Sequence, residues 1–136
     1  MYKRQSKDLN VDHRTYPIGD YEAIESIEAV SIDDYLNNGW KVNLIKMDIQ
    51  GFEVSALKGM KGTIAANPDL LLLLEFWPYG LHEAGSSVAE FCTVLYNLGL
   101  KIQFLENGVF MPFNNSYIPE YETWEWAKYK NIVVGR

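Results

Sequence analysis

A single cysteine, Cys92, occurs in 136 residues, so no disulfide within the chain can staple the fold. Stability then has to come from an apolar core, and a hydrophobic content of 48% supplies one. Cys92 lies between Phe91 and Val94 in a helical pattern with no neighbouring base, so it reads as core packing. That usage is compatible with a reducing compartment. Positive charge is also scarce. Twelve Lys and Arg face eighteen Asp and Glu, for a net charge of −6, and the basic residues are scattered. This excludes partners that need a basic face, nucleic acid and anionic membrane among them. No apolar stretch approaches the ~20 residues that span a bilayer; the longest, Leu70–Leu74, is strand-sized. No apolar segment follows the start, Met1-Tyr-Lys-Arg-Gln5, so no signal peptide is visible. The resulting expectation is a cytoplasmic protein. Absent too is any D-x-G-x-x-x-G or G-x-G-x-x-G pattern, the glycine-rich turn that cradles a nucleotide cofactor after a first strand.

What is present alternates between strand and helix signals. Ser6–Asp20 is polar, with Asn10, Asp12, Pro17 and Gly19, and reads as a loop or hairpin edge. Ser26–Val30 reads as a short strand around Ile27, Ala29 and Val30. Ser31 is placed to cap a short helix with Asp33 and Asp34 in its first turn and Gly39 at its end. Lys41–Asp48 is a nearly continuous apolar run, the pattern of a parallel strand covered on both faces. Gln50-Gly51 is a turn, and helical spacing runs from Phe52 to Ala65, interrupted by Gly59 and Gly62, until Asn67-Pro68-Asp69 stops it. Leu70–Phe76 is a second buried strand, followed by a Trp77-Pro78-Tyr79-Gly80 turn. Ser87-Val-Ala-Glu90 fits a capping box for a helix that turns Val88, Phe91, Val94, Leu95 and Leu98 inward and ends at Gly99. Leu100–Leu105 and Asn131–Val134 are further strands, with an Asn107-Gly108 turn and the aromatic segment Tyr117–Tyr129 between them. The fold class is α/β.

The stretch Leu44-Ile-Lys-Met-Asp-Ile-Gln-Gly-Phe-Glu53, with Ala56-Leu-Lys-Gly59 behind it, resembles the I-K-[IM]-D-[IV]-[EQ]-G-x-E core of FkbM-type methyltransferases. Val30–Leu36, Leu73–Pro78 and Asn131–Val134 agree with that family in order and spacing. Asp12-His-Arg14 resembles a further family segment, with Val11 where a glycine is usual. Each motif is weak alone; four in register are specific. The resemblance implies the C-terminal half of a doubly wound, Rossmann-like sheet, supplying the family's strands in the order 4-5-7-6 with the last strand antiparallel. It implies a chain without its glycine-rich, cofactor-binding half. Residues 1–5 read as an adapter-derived scar, and 6–136 as a partial domain continuing upstream. Lys41–Asp48 would then be an open strand edge, inviting either the missing half or self-association.

In open α/β sheets ligands gather beyond the carboxyl ends of the strands. Asp48, Gln50, Gly51 and Glu53 lie at the end of one expected strand, and Glu75 at the end of its neighbour. Under the family resemblance, S-adenosylmethionine is the cofactor, with Asp48, Gln50 and Gly51 beside it; Asp48 also serves as a base near the reacting centre. Asp48 equally suits the cap of the helix that begins near Phe52, and Glu53 suits a first-turn acid. His13 is a second candidate base. Arg14, Glu53, Glu75 and Trp77 are candidate substrate contacts, Arg14 for a carboxylate and Trp77 for ring stacking; core packing is the plainer reading of Trp77, Trp124 and Trp126. Lys46 either pairs with a rim acid or packs its stem, and His82 reads as surface. No cluster has metal-ligand spacing, and metal dependence stays open.

The functional expectation is part of an S-adenosylmethionine-dependent methyltransferase, acting on an oxygen of a small molecule or saccharide and inactive without the cofactor cradle. The alternative is a non-catalytic half-domain that pairs with a separate chain, as a split subunit or binding module. A piece of a dehydrogenase is a third, weaker reading.

Overall fold

The structure is a computed structural model that describes residues 28–37 and 40–136, together with the backbone of three strands nearer the start. It divides into two units, residues 1–30 and 31–136.

In the first unit β1 (Tyr2–Ser6), β2 (His13–Arg14) and β3 (Tyr21–Ser26) form an antiparallel sheet in the order β2-β1-β3. Tyr2 pairs with Ser26 and Arg4 with Ile24. The strand expected over Ser26–Val30 is therefore displaced: β3 ends at Ser26, and 28–30 are exposed and outside any strand. The partner decides this, because β1 offers its ladder to residues 21–26 and alternation alone cannot form a strand. Ile27, Asn10, Asp12, Pro17 and Gly19 lie outside the described residues.

The second unit opens with α1 (Ile32–Leu36), whose Ser31 hydroxyl accepts from the Asp34 N–H as the cap expected. Its C-cap is the left-handed Asn37; Gly39 lies outside the described residues. A five-stranded sheet follows in the order β4-β5-β8-β6-β7, built from β4 (Leu44–Met47), β5 (Leu71–Phe76), β8 (Lys130–Gly135), β6 (Lys101–Glu106) and β7 (Val109–Pro112). Strands β4 and β5 are parallel, with Leu44 opposite Leu71 and Met47 opposite Leu74. The closing strand β8 is antiparallel to β5 and β6. This mixed α/β sheet is compatible with a Rossmann-like methyltransferase fold.

Three local expectations need correction. The helical run after Gln50-Gly51 is two short helices, α2 (Glu53–Lys58) and α3 (Lys61–Ala66), parted at Gly59 and Met60. Trp77–Gly80 is no free turn but the start of α4 (Pro78–Glu83), where Pro78 sits in the first helical turn and its missing N–H costs nothing. Strand β7 went unread: Asn107 and Gly108 both have positive φ, the geometry of a tight hairpin turn, and Val109–Pro112 folds back on β6. Helix α5 (Val88–Asn97) is as expected, with the Ser87 hydroxyl accepting from Glu90 N–H.

The core lies on one face of this sheet. Met47, Leu72, Leu74, Phe76, Ile132, Val134, Ile102 and Phe104 pack against Val54, Leu57, Ile64 and Leu81, and against Val88, Phe91, Cys92 and Leu95 of α5. The 3₁₀ turn Asn115–Tyr117 and α6 (Ile118–Tyr121) close one end, and Phe76 meets the rings of Phe91, Phe104, Phe113, Tyr121 and Trp124 edge-on or tilted. The alternate residues of β4 and β5 face away: Leu44 is 61% and Leu71 47% exposed. Helices on both faces of β4 are the expectation; among the described residues of this unit the core packs one face. The continuous apolar run records hydrophobicity on both faces of the strand, not what covers each.

Candidate functional site

The parallel register of β4 and β5 carries Asp48 and Glu75 to the same end of the sheet, one residue beyond the paired Met47 and Leu74 for Asp48, and one beyond Leu74 for Glu75. Gln50 joins them. Its side-chain N–H₂ donates to Asp48 Oδ1 at 3.0 Å and reaches Glu75 Oε2 at 3.5 Å. Two acceptors on one side require the amide nitrogen there, which fixes the orientation of the Gln50 amide. Lys46, on the same face of β4 as Asp48, donates to Asp48 Oδ2 at 3.2 Å. The ion-pair reading of Lys46 therefore holds, and both partners are well exposed, so the pair adds little stability.

The backbone explains why Gln50 points this way. Gln50 has φ 56° and Gly51 φ 97°, two successive left-handed residues that reverse the chain between β4 and α2. A Cβ on Gly51 would sit 2.0 Å from the carbonyl oxygen of Gly80, so this turn is pressed against α4. Gly51 permits a close approach, and the approach is to the protein's own backbone.

Beneath the turn lies Glu53, 2% exposed. Its Oε1 accepts from Ile49 N–H at 3.3 Å. Burial pushes its carboxyl up to about 7; hydrogen bonds from the backbone of Glu53, Ile49 and Gly51 oppose that rise, and the neighbouring charge of Glu75 adds to it. Glu53 is the first-turn acid expected of α2, and the structure adds that it is buried. Asp48, read as a possible cap of the same helix, makes no such bond: the N-terminus of α2 has no side-chain cap. Glu53 instead accepts from one N–H of the turn, that of Ile49.

Of the other residues singled out in the sequence, Trp77 is 5% exposed, donates its indole N–H to the Trp126 carbonyl at 2.7 Å and lies against Tyr79. It packs rather than presenting an open stacking face. Trp124 is buried in the aromatic core and Trp126 is half exposed. His82 is exposed and paired with Glu122 at 2.7 Å. His13 and Arg14 form β2, opposite Gln5 and Arg4; their side chains, like Asp12, lie outside the described residues. So the structure brings together Asp48, Gln50, Gly51, Glu53 and Glu75.

One contact at the site and one beyond it are not legible in the sequence. Gly80, which receives Gly51, was hidden inside an apparent turn. Glu122 accepts from Val88 and Ala89 N–H at the start of α5. No local signal links positions that far apart in the chain.

A cleft of about 350 Å3 between Trp40–Asn43 and Ala66–Asp69 lies at the amino ends of β4 and β5. That is the wrong end for the chemistry of a parallel sheet, whose ligands collect at the carboxyl ends, where the carboxylates are. Among the described residues no group of three or more His, Cys, Asp or Glu could hold a metal ion, and no helix is long and apolar enough to cross a membrane.

The rim is acidic, and an acidic rim suits a ligand carrying positive charge. It offers no open glycine turn, since the space above Gly51 is filled by Gly80. The described residues thus fit the cationic centre of a sulfonium cofactor and leave its nucleoside without a cradle. The family model described as the methyltransferase FkbM domain matches residues 2–124. No curated protein and no solved structure matches the chain.

Proposed function

The chain belongs to the FkbM methyltransferase family, and from that membership we propose S-adenosylmethionine-dependent methyl transfer to a hydroxyl oxygen of a small molecule or saccharide, with the Asp48–Gln50–Glu75 rim as the acceptor side of the site. The observation that carries the rim's role is the Gln50 amide, which spans carboxylates from two adjacent strands at the sheet's carboxyl end. When bound, the cofactor would supply an electrophilic methyl group and, its sulfur–methyl bond broken, leave as S-adenosylhomocysteine. Asp48, exposed at the rim, accepts the hydrogen bond of the acceptor hydroxyl and takes its proton as the oxygen–carbon bond forms. The O–H acidifies while its oxygen is being alkylated, which eases that proton transfer. Gln50 holds Asp48 against Glu75, and the pooled negative charge favours a cationic centre above them. Gly51 sets the turn that aims Gln50. His13, as a second base, and Arg14, as a contact for an acidic substituent, are proposed from the sequence alone, while Trp77 and Glu53 are proposed to support the rim from within its own unit.

These 136 residues carry no glycine-rich turn, so the chain alone is expected to be inactive and to need a cradle-bearing half. Among the described residues β4 pairs with β5 alone in its sheet, and its other edge is the proposed place for that half or for a second copy. The test is titration with S-adenosylhomocysteine, followed by transfer of labelled methyl to hydroxyl acceptors. It compares the chain alone with the chain joined to a family first half. The expected result is no tight binding by the chain alone, binding and transfer by the joined protein, and loss of most transfer in Asp48→Asn. Tight binding by the chain alone, or undiminished transfer by Asp48→Asn, would overturn the proposal.

A further inference from the structure

Gln50 is a non-glycine residue in left-handed conformation, a state worth avoiding by about 1 kcal/mol unless something holds it. The structure contains the holder. Glu53 accepts from Ile49 N–H, and the N–H groups of Gly51 and of Glu53 also interact favourably with its carboxylate. The turn thus holds a buried carboxylate through the Ile49 N–H, a backbone contact of the kind that binds free anions elsewhere. Here the chain provides its own. We propose that Glu53 is the positioning residue of the rim: its carboxylate, seated in the Ile49–Glu53 turn, keeps Gln50 left-handed so that the Gln50 amide clasps Asp48 to Glu75. This rests on the rim reading above and adds its regulation.

Glu53 touches no ligand in this account; it acts through Gln50. A carboxylate accepts from several N–H groups, whereas a carboxylic acid loses acceptor capacity and gains an O–H that the turn cannot satisfy. Proton uptake therefore loosens the clasp, and proton loss tightens it. The charged groups around Glu53 are few. Glu75 on β5 raises its proton affinity; the end of β4 brings the Asp48–Lys46 pair. On α4, His82 is engaged with Glu122 and Glu83 is exposed; on α2, Lys58 is engaged with Glu90 of α5. Among the described residues, the paired Lys46 apart, no cation on these elements is placed to hold Glu53 ionised at low pH.

The test is a nuclear magnetic resonance titration of this chain between about pH 5 and pH 9, following the Gln50 side-chain amide and the Ile49 and Gly51 N–H signals. They are expected to move together with one inflection near 7. Glu53→Gln abolishes that inflection while the core methyl signals stay dispersed. Glu75→Gln, which removes the neighbouring charge, keeps the inflection and shifts it to lower pH. Signals that stay flat with pH in the wild type, or an inflection that survives Glu53→Gln, would overturn the proposal. Should Glu53→Gln fail to fold, an inflection unmoved by Glu75→Gln overturns it equally. No cofactor or acceptor enters this experiment, so its outcome is separate from that of the methyl-transfer assay.

Discussion

Glu53 shows how one buried side chain couples stability to pH. Its ordinary value of 4.5 rises to about 7 in the fold. Between those values the folded state binds the proton and the unfolded state does not, so stability falls as pH rises through that window. The contribution is fully present below 4.5 and lost above 7, a swing of about 3 kcal/mol. Glu53→Gln, which titrates nowhere, is expected to flatten that slope in urea melts at pH 5 and pH 8, with the unchanged wild-type slope as the failing result. Cys92 is 2% exposed, and burial, then the charge of Glu122, pushes its thiol up to about 12. A thiol reagent should therefore label the native chain at least ~100-fold more slowly than the chain in denaturant. Comparable rates would place Cys92 at the surface.

Two elements are fixed by contacts made far along the chain. The β4–α2 turn presses Gly51 on Gly80 with φ 97°, so Gly51→Ala suffers both an unfavourable dihedral and a clash with backbone. A loss of at least ~2 kcal/mol is expected from thermal melts, whereas Gly85→Ala meets open space and pays only for its left-handed φ. Helix α3 is capped from outside. Asp33, on α1, accepts from Gly62 N–H, Thr63 N–H and the Thr63 hydroxyl at 2.7–2.8 Å. Burial works against its charge, but those hydrogen bonds outweigh it and lower its value below 3.8. The cap's contribution thus stands above 3.8 and fades as pH falls through the lower folded value. Asp33→Ala should cost about 1–3 kcal/mol at neutral pH, and Asp33→Asn less. Equal losses would mean that shape, not acceptance, matters.

Across the second unit, one packed face and one open edge dominate. Leu44 and Leu71 are exposed on the unpacked side, and β4 has a single neighbour in its sheet. Unpaired N–H and C=O groups beside apolar side chains favour further strand pairing, so the chain is expected to self-associate with rising concentration. Leu44→Lys puts a charge on that edge and should shift sedimentation towards the monomer. A wild type that stays monomeric to ~1 mM would refute the expectation.

Much of this was written locally. Ser31 and Ser87 announce helix starts through their hydroxyls, Gly99 and Asn107-Gly108 mark reversals through φ, and Leu70–Phe76 reads as a buried strand from its unbroken apolar run. The motif around Asp48 likewise showed which acids gather at a strand end, since strand direction alone places them. Burial of Glu53 was not legible, because a helix's first turn favours an acid whether water or backbone surrounds it. Nor were the contact of Gly51 with Gly80, the capping of α3 by Asp33, the anchoring of α5 by Glu122, or the exposure of Leu44 and Leu71 on the second face of the sheet. Periodicity reports which residues are apolar and where the chain turns. It carries no information on which distant segment arrives opposite them, and that arrival decides burial, hydrogen-bond partners and proton affinity.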